Sequence, residues 1–212
     1  RGTRVAITST TNRINKRQAA IDPSGQRVRA YVADLTDRPQ VESLIERVMA
    51  DFGYLDILVN NAGMAKLGDA EISAEMASLS PADWDKAIDR NLNTCFNVTR
   101  CVLPGMIDRN YGRIVNVASV TGPMVSNPGE ASYGAAKAAM VGMSRALAIE
   151  VAGYGITVNN VAPGWIGTGS STEQEKIAAA SKEAEKSVAA ENLEKGKAFL
   201  EENAKKEGVV TL

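Results

Sequence analysis

Five short β-branched runs, separated by stretches of helical periodicity, constrain the fold of this chain more than any other feature. The runs are Arg4–Ser9 (RVAITS), Val28–Ala33 (VRAYVA), Leu55–Asn60 (LDILVN), Arg113–Ser119 (RIVNVAS) and Ile156–Ala162 (ITVNNVA), and all read as buried strands. Between them, Arg38–Phe52, Pro81–Arg109 and Ser132–Ala152 show amphipathic spacing. Pro81 follows a Ser80 cap and suits the first turn of a helix. Strands that alternate with helices close right-handed βαβ units, so an α/β fold with a doubly wound parallel sheet is expected. At 212 residues and 44% hydrophobic, the chain has the apolar material for one sizeable core.

Composition removes several chemistries. The chain has no histidine, which excludes Ser-His-Asp or Cys-His catalysis and any His-ligated metal. Two cysteines, Cys95 and Cys101, are too few for a disulfide framework or a four-thiolate zinc site. Twenty-four Lys plus Arg balance 25 Asp plus Glu, so neither nucleic acid nor an anionic membrane is an expected partner. No apolar run reaches the roughly 18 residues of a membrane span, and the first residues lack a signal-peptide pattern. A reduced, cytoplasmic compartment is expected.

Beyond Ser170 the texture changes. From Thr172 to Glu207, 24 of 36 residues are Ala, Glu or Lys, with pairs such as Glu183–Lys186 and Glu201–Lys205 at helical spacing. Residues 1–170 are therefore read as the α/β domain. Residues 171–212 are read as a long charged helix, ending at Gly208 before a short apolar tail, Val209–Leu212.

Candidate chemistry centres on Tyr133 and Lys137 in SYGAAK, four residues apart on one helix face. A free Tyr titrates near about 10, too high for efficient proton transfer at neutral pH; a neighbouring ammonium stabilises the phenolate. The spacing alone is also that of a surface pair. Ser119 closes a predicted strand where α/β folds place functional groups, and is equally a turn cap. Asn60, Asn61, Ala62 and Gly63 (NNAG) follow another strand, where small residues let a ligand approach the backbone. Asn91 sits inside a helical pattern that it disfavours, which suits a bend or a polar role.

Taken together, strand–NNAG, Asn91 in DRNLNTCFN, RIVNVASVTG, Tyr-Gly-Ala-Ala-Lys and VNNVAPGWIGT resemble the short-chain dehydrogenase/reductase family, in order and spacing, from Arg4 to Ala180. The resemblance is to the subgroup containing 3-oxoacyl-thioester reductases and many alcohol dehydrogenases. It implies a Rossmann-like fold and hydride transfer between a nicotinamide and a small carbonyl or alcohol substrate. By position, Tyr133 would be the general acid/base, while Lys137 would lower its pKa and hold the nicotinamide ribose. Ser119 would polarise the substrate carbonyl, and Asn91 would position a water in a proton relay. Asp34 would contact the adenine, and Asn60, Ala62 and Gly63 would line the cofactor. Pro163, Gly164, Ile166 and Thr168 would border the nicotinamide. In the family an acid at the end of the second strand binds the ribose hydroxyls of NAD. Here that segment, Thr8 to Arg13, has no acid; Ser9 and the Arg13 cation point to NADP(H) over NAD(H). Family members commonly form dimers or tetramers, and Val102, Met140 and Val141 are candidates for packing against a second subunit.

Two departures accompany the match. The family opens with a strand and a Thr-Gly-rich turn that holds the pyrophosphate, and this sequence shows neither. Arg4–Ser9 is then the family's second strand, with the first strand and helix missing. At the other end, SKEAEKSVAAENLEKGKAFLEENAKKEGVVTL resembles the linker helix of Mip-like FKBP-type prolyl isomerases, without the isomerase domain. A recombined chain is expected on this reading, with impaired cofactor binding; the alternative is a catalytically silent module that keeps the fold and the Ser-Tyr-Lys residues. Val209–Leu212 is the apolar segment expected to pair with an unfilled strand edge.

Overall fold

Each β-branched run forms a strand where expected: β1 Val5–Ser9, β2 Val28–Val32, β3 Ile57–Asn60, β4 Gly112–Val117 and β5 Ile156–Val161. The computed structural model describes residues 3–63, 72–164 and 166. The helices are α1 Arg13–Ile21, α2 Arg38–Phe52, α3 Pro81–Ile88, α4 Thr94–Asp108 and α5 Ala131–Val151. All strand pairs are parallel, in two hydrogen-bonded sets ordered β1–β2 and β3–β4–β5.

Local chemistry sets the helix ends. Asp37 caps α2 by accepting from the Gln40 N–H at 3.2 Å, and Gly53 at φ 80° closes it with its N–H on the Met49 carbonyl. Ser80 caps α3 through the Asp83 N–H, with Pro81 in the first turn, as the sequence suggests. The long pattern Pro81–Arg109 is not one α-helix. A π-helical turn, Asp89–Asn93, separates α3 from α4 and contains the anomalous Asn91.

Packing joins the strand sets through α2. Its Leu44 and Val48 pack against Tyr31 and Ala33 at β2. Val41, on the same helix, packs with Leu58, Val98, Val102, Met106, Ile114, Val151 and Ile156 around β3–β5. A third cluster, Cys95, Ala118 and Met140, lies where α4 and α5 meet the end of β4. Val102 and Met140 are therefore core residues of one chain and not subunit contacts; both are buried, because α4 and α5 each lie against the sheet. Val141 is half-buried beside Met140.

Among the described residues, β1 has no strand partner on the side away from β2, and β3 has none on the side away from β4. Ile57 and Val59 of β3 are 53% and 56% exposed, so no described element covers that face. The tail Val209–Leu212 and the expected long helix lie outside the described residues. The chain separates into two units, Arg1–Gly164 and Trp165–Leu212, a boundary six residues before the one read from composition.

The turn from α1 into β2 hangs on Asp22. Its buried carboxylate accepts from Ser24 Oγ at 2.5 Å, Arg27 N at 2.7 Å and Val28 N at 3.0 Å. The Ser24 hydroxyl and then the two backbone amides hold its pKa at about 2, below the ordinary carboxylate value. A depressed folded-state pKa contributes stability above the unfolded value, which is lost as pH falls from the ordinary carboxylate range through about 2. Asp22→Asn is expected to lower the thermal midpoint by several degrees at neutral pH and to flatten its decline in acid. Unchanged melting profiles across that range would remove this role.

Candidate active site

The strands end at one edge, and the segments that follow them carry the candidate residues. β3 runs into Asn61–Gly63, β4 into Ala118 and Ser119, and β5 into Ala162–Gly164. Backbone bonds tie the last two exits together: the Ala118 N–H donates to the Val161 carbonyl and the Val120 N–H to the Pro163 carbonyl.

Lys137 lies on α5 and is only 4% exposed. Its ammonium donates to the Val117 carbonyl at 2.9 Å, the last residue of β4. It also lies 5.7 Å from the centre of the Tyr133 ring, one turn earlier on the same face. Burial lowers the Lys137 pKa below the ordinary lysine value, while the neighbouring Cys95 opposes that shift. Burial also pushes the Cys95 thiol up to about 11, so at neutral pH it is a neutral thiol.

Gly63 brings the groups together. A Cβ there would stand 3.0 Å from Asn91 Oδ1, a tight approach, and in ordinary contact with Lys137 Nζ at 3.5 Å, so glycine leaves the Asn91 oxygen room. Asn91 is buried, and its Nδ2 donates to the Ala87 carbonyl across the π-helical turn. That turn projects the Asn91 oxygen toward the β3 exit. Ser119 is half-buried after β4, where its Oγ accepts from the Thr121 N–H at 3.1 Å.

The loop after Ser119 is pressed onto α5 at Gly122. This residue has φ 100°, and a Cβ on it would collide with the Gly134 carbonyl beside Tyr133. Gly122→Ala is expected to cost more than about 1 kcal/mol and to displace the loop that carries Ser119. Thermal denaturation and activity of that variant check it; wild-type values in both would show that the loop yields freely.

A cavity of about 780 Å³ opens at the ends of β1, β2 and β3. Ser9, Arg13, Asp34, Ala62 and Gly63 all line it, so five of the residues expected to hold a cofactor meet there. Lys16 and Arg17 of α1 and Arg90 of the π-helical turn add cations that sequence reasoning missed. Their signal was available: α1 buries none of its residues yet places Arg13, Lys16 and Arg17 in its first two turns.

Asn60 is placed differently from the other NNAG residues. Its Nδ2 donates to Thr99 Oγ1 at 2.9 Å and to Asn116 Oδ1 at 2.8 Å, and it does not line the cavity. Pro163 and Gly164 lie at the β5 exit; Ile166 is exposed in the second unit, and Thr168 lies outside the described residues.

A parallel α/β sheet whose strand exits gather Ser, Tyr, Lys and Asn beside a cation-lined cavity defines the class, and comparison with known proteins gives the family. The chain belongs to the short chain dehydrogenase family, whose model matches residues 1–203. It is 44% identical over 142 residues to the 3-oxoacyl-(acyl-carrier-protein) reductase FabG of Thermotoga maritima, covering 67% of this chain and 55% of that protein. It is 46% identical over 144 residues to the oxidoreductase UcpA of Escherichia coli, covering 68% of this chain and 52% of the relative. Among solved structures, NAD+-bound xylitol dehydrogenase superposes with a TM-score of 0.74 at 32% identity, covering 82% of this chain and 65% of that one. The chain thus spans little more than half the length of these curated relatives. The family match reaches into the Ala/Glu/Lys-rich stretch, and none of these comparisons carries the likeness to a prolyl-isomerase linker.

Proposed function

We propose that this protein is an oxidoreductase that moves a hydride between NADP(H) and a small carbonyl or alcohol substrate, with 3-oxoacyl thioesters as the substrate class. The observation that carries the reading is Lys137, seated on the Val117 carbonyl beside Tyr133. The cavity fits the cofactor: Arg13, Lys16, Arg17 and Arg90 face one carboxylate, Asp34, among the described lining residues, which suits an elongated polyanion. When bound, the nicotinamide supplies or accepts the hydride.

The chain's own residues handle the proton and the oxygen. Tyr133 gives its phenolic proton to the substrate oxygen during reduction and takes one back during oxidation. The Lys137 ammonium favours the phenolate by its charge. Ser119 Oγ–H donates to the same substrate oxygen and holds it against Tyr133. Asn91, beside Lys137 across Gly63, orients a water that returns the proton from solvent. A cytoplasmic location and a homodimer or homotetramer belong to this reading; Phe96 of α4 and Ile149 of α5 are the apolar side chains exposed for such contacts. These 212 residues hold no Thr-Gly-rich turn, so weak cofactor binding is part of the proposal.

Arg13 is assigned to the 2′-phosphate. Arg13→Gln is expected to weaken NADPH binding about tenfold or more, the worth of one charge-assisted hydrogen bond, and to leave NADH binding unchanged. Fluorescence titration with both nucleotides tests this. A wild-type preference for NADH, or an equal loss for both, overturns the assignment.

A further inference from the structure

Three asparagines face one another across the sheet. Asn60 of β3 stands opposite Asn116 of β4, and Asn116 opposite Asn160 of β5. Each sits one to three residues before its strand hands over to a site segment. Asn116 is completely buried, and its bonds fix its orientation. Its Oδ1 accepts from Asn60 Nδ2 and, at 3.3 Å, from the Cys95 thiol, so its Nδ2 is left to donate to Ser144 Oγ at 2.8 Å. Ser144 has one proton to give, shared between the Met140 carbonyl at 2.7 Å and Asn160 Oδ1 at 2.8 Å.

Ser144 lies on α5 seven residues after Lys137, two turns along nearly the same face. The helix is thus pinned to β4 twice, by Ser144 on Asn116 and by Lys137 on the next residue, Val117. Both pins are buried, so neither exchanges with water at little cost. We propose that Ser144, held by the Asn60–Asn116–Asn160 row, is a positioning residue that fixes the height of α5 on the sheet and thereby seats the Lys137 ammonium on Val117.

This deepens the proposed function, because Lys137 acts there on Tyr133, but the geometry stands without it. The titratable side chains placed against Lys137 are Tyr133 on its own helix and Cys95 on α4. Removing the Ser144 hydroxyl frees α5 to shift, and Lys137 regains water.

The test reads Lys137 directly, by NMR titration of isotopically labelled lysine in the full chain, with Lys137→Arg assigning its signal. In wild type Lys137 titrates below the ordinary lysine value. In S144A its proton affinity rises by roughly threefold or more, S144T restores it, and V48A, a core change in the separate cluster at β2, leaves it unmoved. S144C keeps a side chain of similar shape, weakens all three hydrogen bonds and moves Lys137 in the same direction, so it serves if S144A does not fold. A Lys137 titration unmoved in both variants while thermal stability falls overturns the proposal, as does an equal shift in V48A. Full turnover in Tyr133→Phe would end the proposed function and leave this result standing.

Discussion

Replacing Tyr133 with Phe is expected to lower carbonyl reduction by about 10²- to 10⁴-fold, the range of a lost general acid, while the fold stays intact. Only the hydroxyl is removed. The ring is half-buried on α5, and its packing beside Lys137 is preserved. Tyr133→Phe should also bind the reduced nucleotide as wild type does, because the cavity at the β1–β3 ends is not lined by Tyr133. Turnover within a few-fold of wild type would remove Tyr133 from the mechanism; lost nucleotide binding would make it a binding group and not an acid.

The largest loss of stability is expected from Ile114→Ala. Ile114 is fully buried at the centre of β4, with β3 on one side and β5 on the other. It packs in the cluster of Val98, Val102 and Met106 from α4 and Val151 from α5. Truncation removes three carbons from a site whose walls are held by two helices and two strands, so little collapse can fill the void. The expected cost is about 2–5 kcal/mol, from lost transfer energy and the cavity left behind. Denaturant unfolding measures it. A loss below about 1 kcal/mol would mean that α4 closes onto the sheet more readily than its packing suggests.

The strands and helices were legible because their signals are local. β-branched runs gave all five strands to within two residues, and Ser80–Pro81 gave the start of α3. Asn91 was legible as an anomaly, though not as a π-helical turn, since helical periodicity does not separate one extra residue in a turn from a regular helix. Val102 and Met140 misled because apolar residues on several faces of a helix fit a subunit contact as well as burial between sheet and neighbours. The asparagine row stayed hidden for a different reason. An Asn in a strand is locally unfavourable, and only the parallel register turns Asn60, Asn116 and Asn160 into mutual partners. Ser144, 28 residues from Asn116, carries no local mark at all.

The central claim is tested most directly by mixing the 212-residue chain with NADPH and a short 3-oxoacyl thioester and following loss of reduced-nicotinamide absorbance. The proposed function predicts slow turnover that saturates only at high NADPH, falls in Arg13→Gln and vanishes in Tyr133→Phe. Turnover of equal rate in wild type and Tyr133→Phe, or no NADPH binding at millimolar concentration, would contradict it.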